Sequence, residues 1–261
     1  MAFLRSDLTQ NVLWLTIDRP KANAFNLELI GELQTAFKQA AKDSQVRVVV
    51  LTGAGRVFGA GQDIEEISLL VNQAGAEKLS LREHLLNTYN PLVLQIRQIE
   101  KPVIAAVNGP CAGASLGIAL ACDLRIAADV SKFVVGFSGI GLVPDSGVSL
   151  LLPVLIGLGR ALEFTFSNQP ISAEKALEWG LVNRVVPLAD LSQTVLTTAL
   201  ELSNGPLGAF GLAKRVYNQA VLPNLQAALE YESYVQEVAG QSSEHKEGVA
   251  AFLEKRPARY H

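Results

Sequence analysis

Cysteine, histidine, methionine and charge are all scarce in this chain. Among 261 residues there are two cysteines, three histidines and one methionine, and Asp, Glu, Lys and Arg together make up 18%. Cys111 and Cys122 stand in a small-residue, apolar stretch, which points to a reducing interior and not to a disulfide framework. His84, His245 and His261 are widely spaced and no pair has the spacing of a local zinc motif, so no structural metal is expected. Neither sign of charge dominates, with 22 Lys and Arg against 25 Asp and Glu; a general nucleic-acid or anionic-membrane binder is disfavoured. No apolar run is long enough to span a bilayer, and the opening MAFLRSDLTQ has no apolar export core. The expected compartment is the cytoplasm. What is abundant is apolar side chain, at 49%, which excludes a wholly disordered chain. A chain of this length can bury roughly 70–75% of its unfolded surface.

The apolar residues are patterned. Residues 12–17 read as a strand and a turn follows at Asp18-Arg19-Pro20. Asn26 can cap a helix through Lys42 with Ile30, Leu33, Phe37 and Ala41 on one face. Residues 46–52 read as a valine-rich strand, followed by a glycine-rich loop over 53–61 and a short helix from about Asp63. Residues 71–80 read as a polar, mobile segment. A helical pattern then runs to Ile99, and Pro91 either opens its main part or kinks it. Further strands are predicted over 103–107, 124–127 and 133–135, and a helix with Ile118, Ala119 and Leu120 follows a second glycine-rich loop. Helices are predicted over 146–156, 159–167, 173–179, 190–203, 207–220, 224–239 and 245–254, with Ser172 as an N-cap and Gly180 as a stop. Strands and helices alternate in the first half and the last third is nearly all helix. That pattern predicts a layered α/β core with a helical C-terminal region.

Two loops follow strands and lead into helices: Phe58-Gly59-Ala60-Gly61-Gln62-Asp63-Ile64 and Asn108-Gly109-Pro110-Cys111-Ala112-Gly113-Ala114-Ser115. Either can present backbone N–H groups to a phosphate, a carboxylate or a developing oxyanion; equally, their glycines can serve turns and close packing. Neither is a nucleotide P-loop or a Rossmann fingerprint.

The chain resembles the crotonase (enoyl-CoA hydratase/isomerase) superfamily. The likeness rests on Asp18-Arg19-Pro20 with Asn23-Ala24, on Phe58 to Asp63, on Lys101-Pro102-Val103 through Asn108-Gly109, and on the tail Glu247 to Pro257. The runs Tyr89-Asn90-Pro91-Leu92-Val93, Gly61-Gln62-Asp63 and Phe137 to Gly147 resemble most the branch that isomerises ring-epoxidised phenylacetyl-CoA. The resemblance implies an α/β fold of repeated ββα units forming a spiral core. It implies an acyl-CoA-binding and catalytic core over 1–190 and a helical region over 191–261. That region would serve trimer formation and cover the CoA site. The expected partners are an acyl-CoA thioester and further copies of the chain, as a homotrimer or a dimer of trimers. No cofactor is implied beyond the CoA of the substrate.

By the same resemblance, the backbone N–H groups of Gln62 and Ala114 would stabilise an enolate-like anion on the thioester oxygen. Asp145 would remove and return a substrate proton; read alone, it is a helix N-cap whose carboxylate a helix N-terminus would favour. Lys21, Ala22, Ala24, Ala60, Gln62, Asp63 and Ile64 would meet CoA, with Asp63 also able to cap the short helix. Lys21 is otherwise a solvated turn lysine. Phe252 and Lys255 would reach CoA, from this chain or a neighbour; the alternative is an amphipathic helix with Phe252 buried and Lys255 in solvent. Hydratases of the family usually hold water between two glutamates, at positions matched here by Gly117 and Phe137. Phe137 could line an acyl pocket or the core. Isomerisation by one carboxylate is therefore the expected chemistry, moving a double bond from position 3 to 2 or converting a ring 1,2-epoxide to its oxepin. An atypical hydratase and a non-catalytic acyl-CoA-binding assembly protein are the alternatives. Elsewhere, Asp123 and Arg125 are read as a local packing or interface ion pair, Cys111 as a small buried hydrophobe, Gln34 and Gln39 as solvated helical positions, and His84 as a surface histidine, with a lid or subunit contact as the alternative.

Overall fold

The computed structural model describes residues 2–73 and 80–260, so most of the polar stretch read over 71–80 lies outside the described residues. The chain opens with a hairpin of β1 (Leu4–Thr9) and β2 (Val12–Ile17), turned by Gln10 and Asn11, both at positive φ. Helix α1 (Leu27–Lys42) leads to β3 (Val48–Gly53). Helices α2 (Ile64–Gln73), α3 (Leu81–Asn87) and α4 (Tyr89–Gln98) precede β4 (Val103–Val107). Strand β5 (Cys111–Ala112) runs into α5 (Ala114–Ala121), then β6 (Leu124–Ala128) and β7 (Lys132–Val134). Helices α6 (Val148–Ile156) and α7 (Leu158–Ser167), strand β8 (Ile171–Ser172), helix α8 (Ala173–Trp179) and strand β9 (Arg184–Val186) follow. Four helices finish the chain: α9 (Leu191–Ser203), α10 (Leu207–Val221), α11 (Leu225–Gly240) and α12 (Ser243–Glu254).

The main sheet has the order β1-β2-β3-β4-β6-β9, parallel throughout except for the β1–β2 hairpin; β5, β7 and β8 form a second, smaller sheet. Strands β3 and β4 read as unbroken apolar runs because both of their faces are covered. Val49, Leu51, Val103, Ala105 and Val107 enter the larger core with α1, α4 and α5, whereas Val48, Val50, Ile104 and Ala106 pack beneath Leu191, Val195 and Ala199 of α9. The period-2 alternation of a strand thus sorts one sequence run into two cores.

Local chemistry places the helix ends as expected. Asn26 accepts from Leu29 N–H (2.9 Å) and Ser172 from Lys175 N–H (3.2 Å), and Gly180 ends α8 at φ 81°. The buried face of α1 uses Ala40 where Ala41 was expected; Ala41 is exposed. The helical pattern before Ile99 divides at Thr88, and Pro91 falls in the first turn of α4, where its missing donor costs nothing. Strand β1 escaped sequence reading because it is an exposed, polar edge strand, and β8 because two residues carry no period.

Adjacent parallel strands β3 and β4 deliver their following loops side by side at the carboxyl end of the sheet. Gly59 pairs with Cys111, Phe58 N–H donates to Pro110 O (3.0 Å), and Ala112 N–H donates to Gly59 O (3.0 Å). The segment before α6 then lies directly on α5. A Cβ at Gly117 would stand 2.5 Å from Ser146 O and 2.8 Å from Ser146 Cβ, so only glycine admits this approach. Gly117→Ala should therefore cost about 1–3 kcal/mol by overpacking, read by chemical denaturation. An unchanged midpoint would show that the contact is not close-packed.

Candidate active site

The two loops expose two unpaired donors beside one another. Phe25 N–H donates to Gly61 O (2.7 Å) and Asp63 N–H donates to Phe25 O (2.8 Å). In extended pairing, alternate N–H groups face opposite ways, so the Gln62 N–H between these bonds points away from Phe25. Ala114 is the first residue of α5, where a helix leaves its N–H groups without intrahelical acceptors. Among the described residues, neither the Gln62 nor the Ala114 N–H donates to a protein acceptor. Gly61 holds the turns together: at φ +85°, a Cβ there would lie 2.9 Å from Ala112 O and 3.3 Å from Ala114 N. Two neighbouring free N–H groups at a helix start can stabilise a developing oxyanion.

The Gln62 side chain is itself fixed. Its Oε1 accepts from Tyr89 Oη (2.8 Å) and from His84 Nε2 (2.9 Å). His84 is buried, where a surface histidine was expected; burial pushes its pKa down to about 4 and keeps the ring neutral. Tyr89 stacks beside Phe25 with ring centroids 6.4 Å apart, and its burial raises the phenol well above its ordinary range.

Asp145 is 6% exposed. Ser146 Oγ donates to its Oδ1 (2.7 Å) and Gln236 Nε2 to its Oδ2 (2.7 Å). Burial outweighs both hydrogen bonds and pushes the carboxyl up to about 6. The Asp145 side chain does not cap α6, the role it would have if read without the resemblance. At the start of α6, Val148 N–H donates to the backbone carbonyl of Asp145 (2.9 Å), while the Glu232 side chain accepts from Gly147 N–H (2.9 Å) and Ser149 N–H (3.0 Å). The helix start therefore favours the Glu232 carboxylate and gives Asp145 no side-chain bond. Glu232 and Gln236 were not singled out in the sequence. Their signal was present: with Leu225, Leu229 and Ser233 they form the buried stripe of α11, a helical face where polar residues are unusual.

Lys21, Ala22 and Asn23 are consecutive residues at positive φ. Asn23 holds this turn by accepting from Arg19 N–H (3.0 Å) and donating to Val57 O (2.7 Å) and Ala54 O (3.1 Å). Ala60 N–H donates to Ala22 O (3.1 Å), which brings the 21–24 turn onto the 60–64 loop. Lys21 pairs with Glu65 at 3.0 Å, both exposed. Ala22 and Ala60 are exposed, and Ala24 and Ile64 half-buried. Asp63 caps α2, accepting from Glu66 N–H (3.0 Å), and its other oxygen meets Arg19 at 2.6 Å. Burial alone would raise Asp63; these partners win and hold it below its ordinary value.

Phe252 and Lys255 stand apart from these turns, on and just past α12, which packs against residues 138–140 and α11. Phe252 is 57% exposed, so the reading that buries it does not hold; Ala251 is the buried residue there. Phe137 is buried in the larger core. Asp123 pairs with Arg97 (3.1 Å) and Lys214 (2.8 Å), not with Arg125, which donates to Leu181 O and Cys122 O (both 2.7 Å). Gln34 is not solvated either: it donates to Thr88 O (2.7 Å) at the break between α3 and α4. Cys111 is buried, and burial raises its thiol pKa.

The Glu232 carboxyl is pushed up to about 7, chiefly by burial, with the charge of Asp145 adding to it. Between its ordinary value of 4.5 and about 7 the folded chain holds a proton that the unfolded chain has lost, so this group's contribution to stability falls as pH rises through that window. Glu232→Gln removes the dependence. Its stability relative to the unaltered chain should rise by on the order of 1–3 kcal/mol between pH 4.5 and 7.5, measured by denaturation at fixed chain concentration. A difference independent of pH would contradict the assignment.

Comparison with known proteins fits this geometry. The enoyl-CoA hydratase/isomerase family model matches residues 7–261. The chain is 40% identical to the 1,2-epoxyphenylacetyl-CoA isomerase of Escherichia coli K12, covering 100% of this chain and 98% of the relative. It is 36% identical to the short-chain-enoyl-CoA hydratase of Clostridium acetobutylicum, covering 93% and 91%. Among solved structures, an enoyl-CoA hydratase from Mycobacterium avium subsp. paratuberculosis superposes with a TM-score of 0.88 at 34% identity, covering 100% of this chain and 99% of that one. The chain belongs to the enoyl-CoA hydratase/isomerase, or crotonase, family.

Proposed function

We propose that the chain is an acyl-CoA isomerase with Asp145 as its single proton carrier and the Gln62 and Ala114 N–H groups as its oxyanion donors. The observation that carries this reading is the contact at Gly117. A side chain there would collide with the Ser146 backbone, so the chain cannot hold a glutamate at 117 without moving Asp145. With Phe137 at the other matched position, it has no pair of carboxylates there to hold an attacking water. One carboxylate suffices to move a proton between two carbons.

In the proposed reaction, the substrate carbonyl oxygen accepts from the two N–H groups. The Asp145 carboxylate takes a proton from the carbon next to the thioester, and the C–H electron pair moves into the enolate. The same proton returns to a more distant carbon, so substrate and product have one formula. For a 3-enoyl-CoA this moves the double bond to position 2. For a ring 1,2-epoxide of phenylacetyl-CoA, the bridging C–C bond of the epoxide opens to the seven-membered oxepin and the proton returns to a ring carbon. The likeness to the E. coli ring-epoxide isomerase over the full chain supports the second substrate. Removing one oxyanion donor typically costs about 3–4 kcal/mol. An acid whose pKa stands near 6 is suited to giving back the proton it takes near neutrality.

CoA would lie along Lys21, Ala22 and Ala24 and along Ala60, Asp63 and Ile64, recognised mainly by backbone polar atoms, with Phe252 and Lys255 closing it from this chain or a neighbouring copy. No cofactor is needed beyond that CoA. The assembly is a homotrimer or a dimer of trimers in the cytoplasm; the exposed Val216, Tyr217, Tyr231 and Tyr234 on α10 and α11 support association. Among the described residues no helix is long and apolar enough to cross a membrane.

Asp145→Asn keeps volume and removes basicity. Turnover should fall about 100- to 10,000-fold while acyl-CoA binding by the same purified variant is retained. Ring-epoxide and 3-enoyl thioesters should be assayed side by side, with products resolved by mass and retention time. Near-normal turnover in a correctly assembled Asn variant would overturn the mechanism.

A further inference from the structure

The buried face of α11 carries more polar chemistry than packing requires. Gln236 is 2% exposed, and both ends of its carboxamide are used: Nε2 donates to Asp145 Oδ2 (2.7 Å), and Oε1 accepts from Val143 N–H (3.0 Å). The side chain thus ties the Asp145 carboxylate to backbone two residues upstream of it. One turn earlier on α11, Glu232 binds Gly147 and Ser149 N–H, on the other side of Asp145. A single helix far away in sequence therefore holds the 143–149 segment at three backbone groups and one carboxylate oxygen. Asn90 of α4 locks α11 in place, donating to Ser233 Oγ (2.9 Å) and Leu229 O (3.1 Å).

We propose that Gln236 is a positioning residue for the reaction: its amide fixes the orientation of the Asp145 carboxylate and stabilises its ionised form, so that α11 sets the working state of the base. The inference rests on the proposed role of Asp145. The physical reason is the low polarity of the site. A buried carboxylate accepts charge only to the extent that fixed donors replace lost water. Asp145 has two such side-chain donors, Ser146 on its own segment and Gln236 across from it. Ser146 moves with Asp145; Gln236 is the donor anchored elsewhere, and so the one that can fix direction.

The titratable groups facing Asp145 are Tyr89 from α4 and Glu232 from α11. Burial raises both, and the charge of Asp145 adds to the rise at each. Gln236 carries no charge, so its amide acts on Asp145 through the hydrogen bond alone. Loss of that donor should move the Asp145 titration upward, because burial would be opposed by one hydrogen bond instead of two.

The experiment compares kcat/KM against pH for the unaltered chain and Gln236→Met, with Asp145→Asn alongside. The same titration is followed without substrate by carbon-13 signals of labelled aspartate, Asp145→Asn assigning the resonance. Gln236→Met should shift the acid limb and the Asp145 titration upward by about 1 pH unit, lowering kcat with KM little changed. If Gln236→Met does not assemble, Gln236→Asn withdraws the same amide by one carbon and should shift the titration in the same direction. Coincident titrations, a downward shift, or a loss of rate and stability at constant pH dependence would each overturn the positioning role. If Asp145→Asn is inactive while the Gln236 profiles coincide with the unaltered one, the positioning role fails alone. If Asp145→Asn turns over normally, the reading on which it rests fails.

Discussion

The close approach of Ser146 to α5 at Gly117 is the contact on which the site depends. Helix α5 begins at Ala114, whose N–H is one of the two free donors, and one turn later it presents a residue with no side chain. The 145–146 segment fills that gap. The acid and the donor are therefore registered by one short helix, and the second donor, at Gln62, is registered to the first by the Gly61 turn. Any side chain at 117 would separate the acid from this frame. The same feature that removes a potential second carboxylate makes room for the first.

Electrostatics then distinguish two buried carboxyls that lie near each other. Glu232 receives the N–H groups at the start of α6, and Asp145 receives a hydroxyl and an amide. In both cases burial exceeds what these donors return, and both carboxyls are raised, to about 6 for Asp145 and about 7 for Glu232. The two differ in what holds them: Glu232 is held by backbone N–H groups at a helix start, whereas Asp145, the carboxyl proposed as the base, is held by side chains. Glu232 serves structure, in the capping role that Asp145 would have if read without the family resemblance. Gln62 with buried Tyr89 and neutral His84 forms a second polar cluster, which fixes the side chain of a residue whose backbone is the proposed donor.

Much of this was legible in the sequence. The valine runs of β3 and β4, the caps Asn26 and Ser172 and the two glycine-rich loops carried the layered α/β order, since local propensity and spacing suffice there; the assignment of the Gln62 and Ala114 donors came from the family resemblance. Family resemblance added the spiral fold. What was not legible depends on tertiary contact. Polar β1 has no apolar period. Asp145 looked like a cap because the residue that outcompetes it, Glu232, lies 87 positions away along the chain. His84 and Gln34 looked solvated because a lone polar residue on a helix gives no sign of what packs over it. Arg125 and Asp123, two residues apart, looked paired, yet Arg97 and Lys214 supply the partners of Asp123.

The most direct test follows the proton itself. Product formed from an unsaturated or ring-epoxide acyl-CoA in deuterated water should be analysed by mass spectrometry and proton NMR. Transfer by one buried carboxylate between two carbons yields an isomer of the substrate, altered in mass only by deuterium taken up at the carbons that exchange. A product heavier by one water would contradict this, because it would require the chain to hold and activate a nucleophile that a single carboxylate beside Gly117 was argued not to position.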